Sequence, residues 1–391
     1  MAKIHDSPAG QAQKIVVVGG GRAGTAILTR LAADPCFAPF VVDVDYGRVS
    51  ALRAAGIPGD EASGSDATAL VLILRDAACV VCAAPASVAP VVARAAIEAG
   101  CHYVDLCEGS PITPDSFGQG LKPGQCLAPG CGLAPGLVPA LVDGMIRSGT
   151  RDADITAYVG VLPALKTNRL GYGNLWGLDG LMDEYTRPCL SLEAGEIVSR
   201  PPLRDVETVQ IDGTAYEAFS TSGSLDDLVQ RSAGQLAGLR FKTLRYPGHL
   251  DYILFLLDDL RLGDRLYMFR NLLMNGLAKI ERDRVLIHIV DHNPEAPRHL
   301  TRIFDAVEGG GHLVTSAVSE VSAAHVCAVV DILVRGLAPS GGVLHHEHLR
   351  LDLLRKSRHC AALLGAAPAL GETVGRTLHG RKGDATCHAK D

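Results

Sequence analysis

Three hundred and ninety-one residues suffice for two domains, or for one large domain with an insertion. Apolar residues make up 47% and charged residues 20%, so a sizeable core can form and wholesale disorder is excluded. Thirty-seven Lys and Arg against 43 Asp and Glu leave a net charge of −6, a balance that argues against a nucleic-acid or polybasic membrane partner.

The leader, with Lys3, His5, Asp6 and Gln11 to Lys14, is polar and carries no apolar signal core. Ile15-Val16-Val17-Val18 follows, a β-branched run of the kind carried by a strand covered on both faces. It leads directly into Gly19-Gly20-Gly21-Arg22-Ala23-Gly24, after which residues 25–32 have helical apolar spacing. This is G-x-G-x-x-G between a strand and a helix. Gly19 permits the tight turn, Gly21 a close backbone approach to a pyrophosphate, and Gly24 the packing of helix on strand. Arg22 and Ala23 open the helix whose N–H groups face the anion.

The next strand, Phe40 to Asp43, ends in a carboxylate 19 residues after Gly24. From that position an acid accepts hydrogen bonds from an adenosine ribose. A 2′-phosphate there would face Asp43 and Asp45, which favours NAD over NADP; Arg48, one helical turn on, is the feature that speaks for NADP. Residues 68–75 read as a helix, with Asp66 at its start a further candidate for the cofactor. The stretch 67–84 is the most apolar in the chain, but Arg75 and Asp76 interrupt it short of the ~18 uninterrupted residues of a membrane span, so no spanning helix is expected.

A strand over 79–84 ends at Ala84-Pro85, followed by a helix over 87–99, a strand over 103–106 and another over 125–128. Cys79 and Cys82 form a C-x-x-C inside a buried strand, not at the helix N-terminus a redox pair requires. No second cysteine pair has zinc-ribbon spacing. Strands alternating with helices predict a doubly wound parallel sheet, the Rossmann arrangement. Its ligands bind at the carboxyl ends of the strands, so Ala84, Pro85, Asp105 to Glu108 and Pro129 to Cys131 are expected to line one crevice.

After Arg151 the pattern changes. Strands are expected over 154–161, 196–199, 208–211, 217–221, 241–245, 285–290 and 300–304, with hairpin signals at Ala194-Gly195 and Asp212-Gly213. Helices are expected over 249–260, 266–277 and 316–334, the last returning to the first domain. The second domain is therefore α/β with a mixed or antiparallel sheet, helices on one face and the other face free for a partner subunit. The expected boundaries are 13–134 for the dinucleotide-binding domain, completed by 312–370; 135–311 for substrate binding and dimerisation; and 371–391 for a mobile tail. Eleven cysteines without small-domain spacing read as free thiols of a cytoplasmic protein.

Gly130 to Leu137, Gly177 to Tyr185, Thr221-Ser222-Gly223 and Lys242 to His249 occur in an order that resembles the saccharopine dehydrogenase family, in particular its lysine 6-dehydrogenase-like branch. The resemblance runs from about Lys14 to about Leu337. It implies an NAD(P)-binding domain, a substrate domain, a homodimer, and oxidation or reduction of a carbon–nitrogen bond in an amino acid or polyamine. The stretch 165–176 and the segment 342–348, with three histidines, depart from the family pattern.

Such chemistry needs a base, a carboxylate anchor and exclusion of water around the nicotinamide. Asp105, Glu108 and His249 are the candidate acid–base groups; a strand-end cap or a backbone-held histidine is the alternative for each. Arg245 and Lys242 are candidate anchors. Three apart on one strand, they point to opposite faces, and Arg245 has the bidentate fork, with an inter-strand ion pair as the alternative. Thr221, Tyr172 and Trp176 are candidates for the pocket wall, and Cys131 for packing beside the nicotinamide. His345 to His348 read as a solvated loop, and no metal is expected. Two other functions stay open: a redox-neutral enzyme with tightly bound NAD (a cyclodeaminase or aminoalkyl transferase), and a non-catalytic NAD-binding protein.

Overall fold

The computed structural model describes residues 12–149, 152–294, 297–308, 314–338, 341–364 and 373–376. These fall into two compact units, one of residues 12–140 and 319–364, the other of 141–318 and 373–376. The division lies inside the helix Leu137–Arg147, a few residues beyond the expected boundary. Residues 1–11 of the polar leader, and the tail apart from 373–376, lie outside the described residues.

The first unit runs β1 (Gln13–Val18), α1 (Arg22–Ala32), β2 (Phe37–Asp43), α2 (Tyr46–Ala54), β3 (Gly59–Glu61), α3 (Ala67–Leu74), β4 (Cys79–Cys82), α4 (Ala89–Ala99), β5 (His102–Asp105) and β6 (Cys126–Ala128). Every pairing is parallel, in the order β6-β5-β4-β1-β2-β3, with the short strand Gly342–Val343 added beside β6. Ile15, Val16 and Val17 are fully buried, because β1 lies at the centre and is covered on both faces. The order reverses beside β1, which sets the crevice of a doubly wound sheet at the end of that strand. Cys79 and Cys82 lie buried in β4, as packing residues.

The helix Ala317–Val334 is by length and composition apolar enough to cross a membrane, which the sequence reading did not anticipate. Its window is 83% buried inside the chain, the mark of a core helix that is apolar all round. Its turns within the first unit lie along α1: Arg30 pairs with Glu320 at 2.7 Å, and the Cys327 thiol approaches the Ile27 carbonyl.

The second unit contains β7 (Asp154–Pro163), β8 (Cys189–Glu193), β9 (Glu196–Arg200), β10 (Arg204–Ile211), β11 (Thr214–Ser220), β12 (Gly238–Arg245), β13 (Asp283–Asp291) and β14 (Arg298–Asp305). The sheet order is β10-β11-β12-β7-β13-β14, then Thr373–Arg376, with β8 and β9 attached beside β12. It is mixed: β12 runs parallel to β7, and Thr373–Arg376 parallel to β14. One face carries Tyr158, Leu162, Leu244 and Leu286, all nearly inaccessible. That face is thus already buried within the chain, which removes the free sheet face expected for a partner subunit. The helix expected over 249–260 is instead a short α-helix, His249–Leu254, continued by a π turn, Phe255–Asp259.

Both hairpin signals turn in two residues with positive φ: Ala194 (50°) with Gly195 (82°), and Asp212 (50°) with Gly213 (73°). The sequence reading placed a turn at Ala194 but not the strand β8 that feeds it. Ala is the wrong residue for a left-handed backbone, whereas Asn tolerates it. Ala194→Asn is expected to raise the unfolding free energy by about 0.5–1 kcal/mol, read by urea denaturation.

Candidate functional site

The first candidate site lies at the C-terminal end of β1. A Cβ on Gly24 would collide with the Gly19 carbonyl oxygen, and one on Gly19 (φ 104°) would sit 2.8 Å from the Ala83 oxygen. These glycines therefore let α1 and the end of β4 close on the turn. Gly21 differs: a Cβ there meets nothing within 4 Å, so its backbone faces open space. Gly21 also caps α1 without any side-chain hydrogen bond, and no acid occupies the first turn. The positive end of the helix is left for an anion.

Asp43 is buried and fixes the turn. Its carboxylate accepts from Gly20 N–H at 2.6 Å and from Asp45 N–H at 2.8 Å. Arg48 lies 3.6 Å from Asp43 and 3.4 Å from Asp45. The Asp45 side chain also caps α2 by accepting from Gly47 and Arg48 N–H. Ala84 and Pro85 follow β4 at the same end of the sheet. Together these residues fit a diphosphate-bearing dinucleotide: an open glycine backbone at a helix N-terminus, and a held carboxylate at the end of the neighbouring strand.

Asp105, expected as an acid–base group, is a brace. It is fully buried and accepts from Tyr103 O–H (2.8 Å), Ser110 O–H (2.9 Å), Cys107 N–H (2.9 Å) and Gly130 N–H (2.8 Å). Burial pushes its carboxyl up, and the backbone N–H groups of Gly130 and Cys107 oppose this. Four donors on two oxygens tie the end of β5 to the loop after β6 and leave no open edge for a substrate. Glu108 is half-buried just beyond, on the same loop. Cys131 is buried with its thiol against the Ala128 carbonyl, and burial drives its pKa well above the ordinary range.

The second candidate site is one face of the second sheet. Arg245 is 2% exposed and every guanidinium nitrogen is engaged. Its Nη2 donates to Glu184 at 2.8 Å, Nε to the Tyr185 hydroxyl at 3.2 Å and Nη1 to the Leu244 carbonyl at 3.0 Å. The Tyr172 ring lies 4.7 Å from the guanidinium, a cation–π contact. His249 is fully buried, with Nδ1 2.9 Å from the Leu170 carbonyl and Nε2 2.8 Å from the Tyr185 hydroxyl. A carbonyl only accepts, so Nδ1 carries the proton and Nε2 accepts from Tyr185. The chain of donors then runs from Arg245 through Tyr185 and His249 to Leu170. Trp176 N–H donates to the Tyr172 hydroxyl at 2.9 Å, and the Thr221 and Thr243 hydroxyls pair at 2.8 Å.

Burial penalises the Arg245 charge, but Tyr185, Tyr172 and Glu184 outweigh this and its pKa rises. Burial pushes Glu184 up, and the charge of Arg245 draws it back. For His249, burial and the Arg245 charge lower the pKa to about 3, which makes a neutral ring and removes it as a base titrating near neutrality.

The structure brings Arg245, His249, Tyr172, Trp176 and Thr221 onto one face and leaves Lys242 on the other, where it is held by Glu207 at 2.5 Å and by the Asp205 carbonyl at 2.7 Å. The opposite facing follows from strand alternation, and an anchor made of both cations is excluded. Asp66, expected at the cofactor, is exposed and caps α3 through Ala69 N–H at 3.0 Å. His345 N–H donates to His348 Nδ1 at 3.0 Å in a short 3₁₀ turn. Sequence reasoning passed over Glu184 and Tyr185, although both stand in the stretch Gly177 to Tyr185 that it singled out. The helix Leu178–Thr186 turns these neighbours toward Arg245, a contact across some sixty residues that no local pattern carries.

The saccharopine dehydrogenase NADP binding domain matches residues 15–122, and the saccharopine dehydrogenase C-terminal domain matches residues 132–356. The chain belongs to the saccharopine dehydrogenase family. This family member also shares its fold with apo saccharopine dehydrogenase (L-Glu forming) from Saccharomyces cerevisiae, at 16% identity over 88% of this chain and 96% of that one, with a TM-score of 0.68. GenD2 from gentamicin A biosynthesis, solved in complex with NAD (15% identity, 80% and 77% covered, TM-score 0.38), and a probable dehydrogenase from Thermotoga maritima (11%, 87% and 93%, TM-score 0.42) are likenesses too slight to bear on the chemistry. The family is one of oxidoreductases, and the nucleotide it uses is of the nicotinamide dinucleotide type.

Two tests follow from these geometries. Gly21→Ala is expected to leave stability within about 0.5 kcal/mol of wild type while weakening dinucleotide binding, since the new methyl projects into open space; Gly24→Ala is expected to lower the melting temperature as well. Calorimetry and thermal denaturation separate the two. His249 has a folded pKa below its unfolded value of about 6.5, and burial lowers His102 and His325 to about 4. Their stabilisation is full above pH 6.5 and is lost as pH falls toward the folded values. Urea midpoints should therefore drop steadily from pH 6.5 to 4 and stay level between pH 6.5 and about 8, above which the buried thiols raised by burial begin to cost stability.

Proposed function

We propose that this protein is an NAD-dependent oxidoreductase of the carbon–nitrogen bond of an amino acid or its imine, with oxidation of a lysine ε-amine as the nearest model, and that Glu184 is the group that meets the amine. The observation that carries this is the asymmetry of the Arg245–Glu184 pair. Arg245 is sealed at 2%, whereas the Glu184 side chain remains 15% open. An ammonium group seeks a carboxylate, and Glu184 offers one, already oriented by the buried cation behind it.

A bound nicotinamide supplies the hydride acceptor. For the carbon–nitrogen double bond to form, the substrate nitrogen must first lose a proton. Glu184, whose carboxyl is pushed up by burial and drawn back by the Arg245 charge, is the group that accepts it. Arg245 is a positioning residue: its charge keeps Glu184 from holding a proton permanently, and its fork fixes the carboxylate plane. Tyr185 and the neutral His249 in turn hold the guanidinium. Tyr172 and Trp176 restrict water on the flank. In the first unit, Gly21 and the start of α1 would hold the diphosphate and Asp43 the adenosine ribose.

The geometry around Asp43 supports NAD over NADP. Two carboxylates, Asp43 and Asp45, stand where a 2′-phosphate would lie, and the nearby guanidinium of Arg48 already engages both. The ten described cysteines, all free, support a reducing, cytoplasmic setting.

Incubating the protein with NAD and a panel of amino acids and diamines, and following the absorbance of reduced cofactor, tests this reading. Turnover with at least one amine is expected. Glu184→Gln should then lower kcat/KM by roughly 10²–10⁴ with NAD binding unchanged. Full activity in that variant would remove Glu184 from the role. Product without net reduced cofactor would favour a redox-neutral enzyme, and binding of NAD without turnover of any amine a non-catalytic protein.

A further inference from the structure

On the second sheet basic side chains meet acids: Arg200 with Glu193, Arg240 with Asp154, Arg284 with Asp305 and Arg298 with Asp291. The segment that follows β7, residues 164–171, breaks this habit. It carries Lys166 and Arg169 three residues apart, and no acid occurs between Pro163 and Asp179. Both cations are exposed. Lys166 donates to the neutral Pro247 carbonyl at 3.0 Å, and the Arg169 side chain has no partner among the described residues. The backbone of the segment is nonetheless held against the Arg245 network. Asn168 brackets Tyr172, donating to its carbonyl at 2.8 Å and accepting from its N–H at 3.3 Å. The Leu170 carbonyl accepts from His249 Nδ1–H. Gly171, at φ 63°, turns the chain where a Cβ would press on Tyr246. Tyr172 in turn lies over the guanidinium that holds Glu184. The Lys166 charge reaches into this network, for after burial and Arg245 it is a further cause that keeps the His249 ring neutral.

We propose that Lys166 and Arg169 anchor the carboxylate of the substrate, so that the site selects an amine with a carboxylate at its far end over simple amines and diamines. This rests on the reading of Glu184 as the group that meets the amine, and deepens it. An amino acid needs a cation opposite its carboxylate, and both cations first expected there are engaged, Arg245 by Glu184 and Lys242 by Glu207. The two on the segment after β7 have no acid of their own and are displayed from a fixed backbone. Lysine brings a compact charge, and arginine a planar fork that matches a carboxylate with two parallel hydrogen bonds. A diamine would instead set its second ammonium against two like charges, which is unfavourable. Because the stretch 165–176 departs from the family pattern, this selectivity belongs to this chain's own residues.

The test reads binding to the full chain with NADH present, so that no amine can be oxidised. Calorimetry compares 6-aminohexanoate with hexylamine, which has a methyl group in place of the carboxylate. Wild type should hold 6-aminohexanoate roughly tenfold or more tightly, as expected for hydrogen bonds between charged groups. The double variant Lys166→Met with Arg169→Gln should lose that preference, with circular dichroism and thermal melting as in wild type, since both positions are exposed. Glu184→Gln separates this proposal from the reading beneath it: it should weaken both ligands and leave the preference for the carboxylate in place. A preference lost in the double variant while Glu184→Gln weakens neither ligand upholds the anchor and removes Glu184 as the amine's partner. Equal binding of the two ligands by wild type, binding of neither, or a preference that survives the double variant overturns the anchor, whatever Glu184→Gln does.

Discussion

The hydrogen bond from Gly20 N–H to the Asp43 carboxylate joins three elements at one point. Gly20 ends the turn that leaves β1, Asp43 ends β2, and α1 starts immediately beyond. The bond is short, at 2.6 Å, and buried, and charge-assisted bonds of this kind are about twice as strong as neutral ones. It holds the glycine backbone in the shape that leaves Gly21 bare and the helix end unobstructed. The same carboxylate has two oxygens with about four lone-pair sites, so it can hold the turn and still accept from a sugar hydroxyl. The affinity of the first unit for a dinucleotide is thus set by backbone geometry.

The second unit solves a different problem, that of keeping charge in a dry interior. Removing one partner from a buried ion pair costs about 3–5 kcal/mol, since the other charge is left without compensation. Arg245 avoids this by drawing on a carboxylate, a hydroxyl, a carbonyl and an aromatic face at once. The cost of burial is therefore met around the cation, and the residual openness falls on Glu184. A carboxylate that is partly desolvated, raised in pKa and held by a neighbour has the properties of a functional acid–base group.

Much of the first unit was legible in the sequence because its signals are local. The β-branched run at Ile15, the glycine spacing from Gly19 to Gly24 and the acid at Asp43 each sit within one supersecondary unit. The hairpins at Ala194-Gly195 and Asp212-Gly213 were legible for the same reason. The fate of side chains reaching across the fold was not. Asp105 looked like a base, but its role as a brace depends on Gly130, 25 residues away. His249 looked poised to titrate near neutrality, and only the surrounding protein decides that it stays neutral. Lys242 and Arg245 were correctly placed on opposite faces by strand alternation, while Glu184 was missed because its partner lies 61 residues downstream. The apolar helix at Ala317–Val334 was foreseen as returning to the first unit, but its length as an unbroken apolar helix was not weighed against a membrane span.

The claim on which the account stands is that the end of β2 selects the sugar. Isothermal calorimetry of NAD and NADP against wild type and Asp43→Ser tests it most directly. The account predicts that wild type binds NAD more tightly than NADP, and that the variant, its turn loosened, loses roughly tenfold or more in NAD affinity, as expected for a lost hydrogen bond to a charged group, and loses less for NADP, so that the preference for NAD shrinks. Equal affinities in wild type, or an Asp43→Ser variant that binds NAD as well as wild type does, would contradict it.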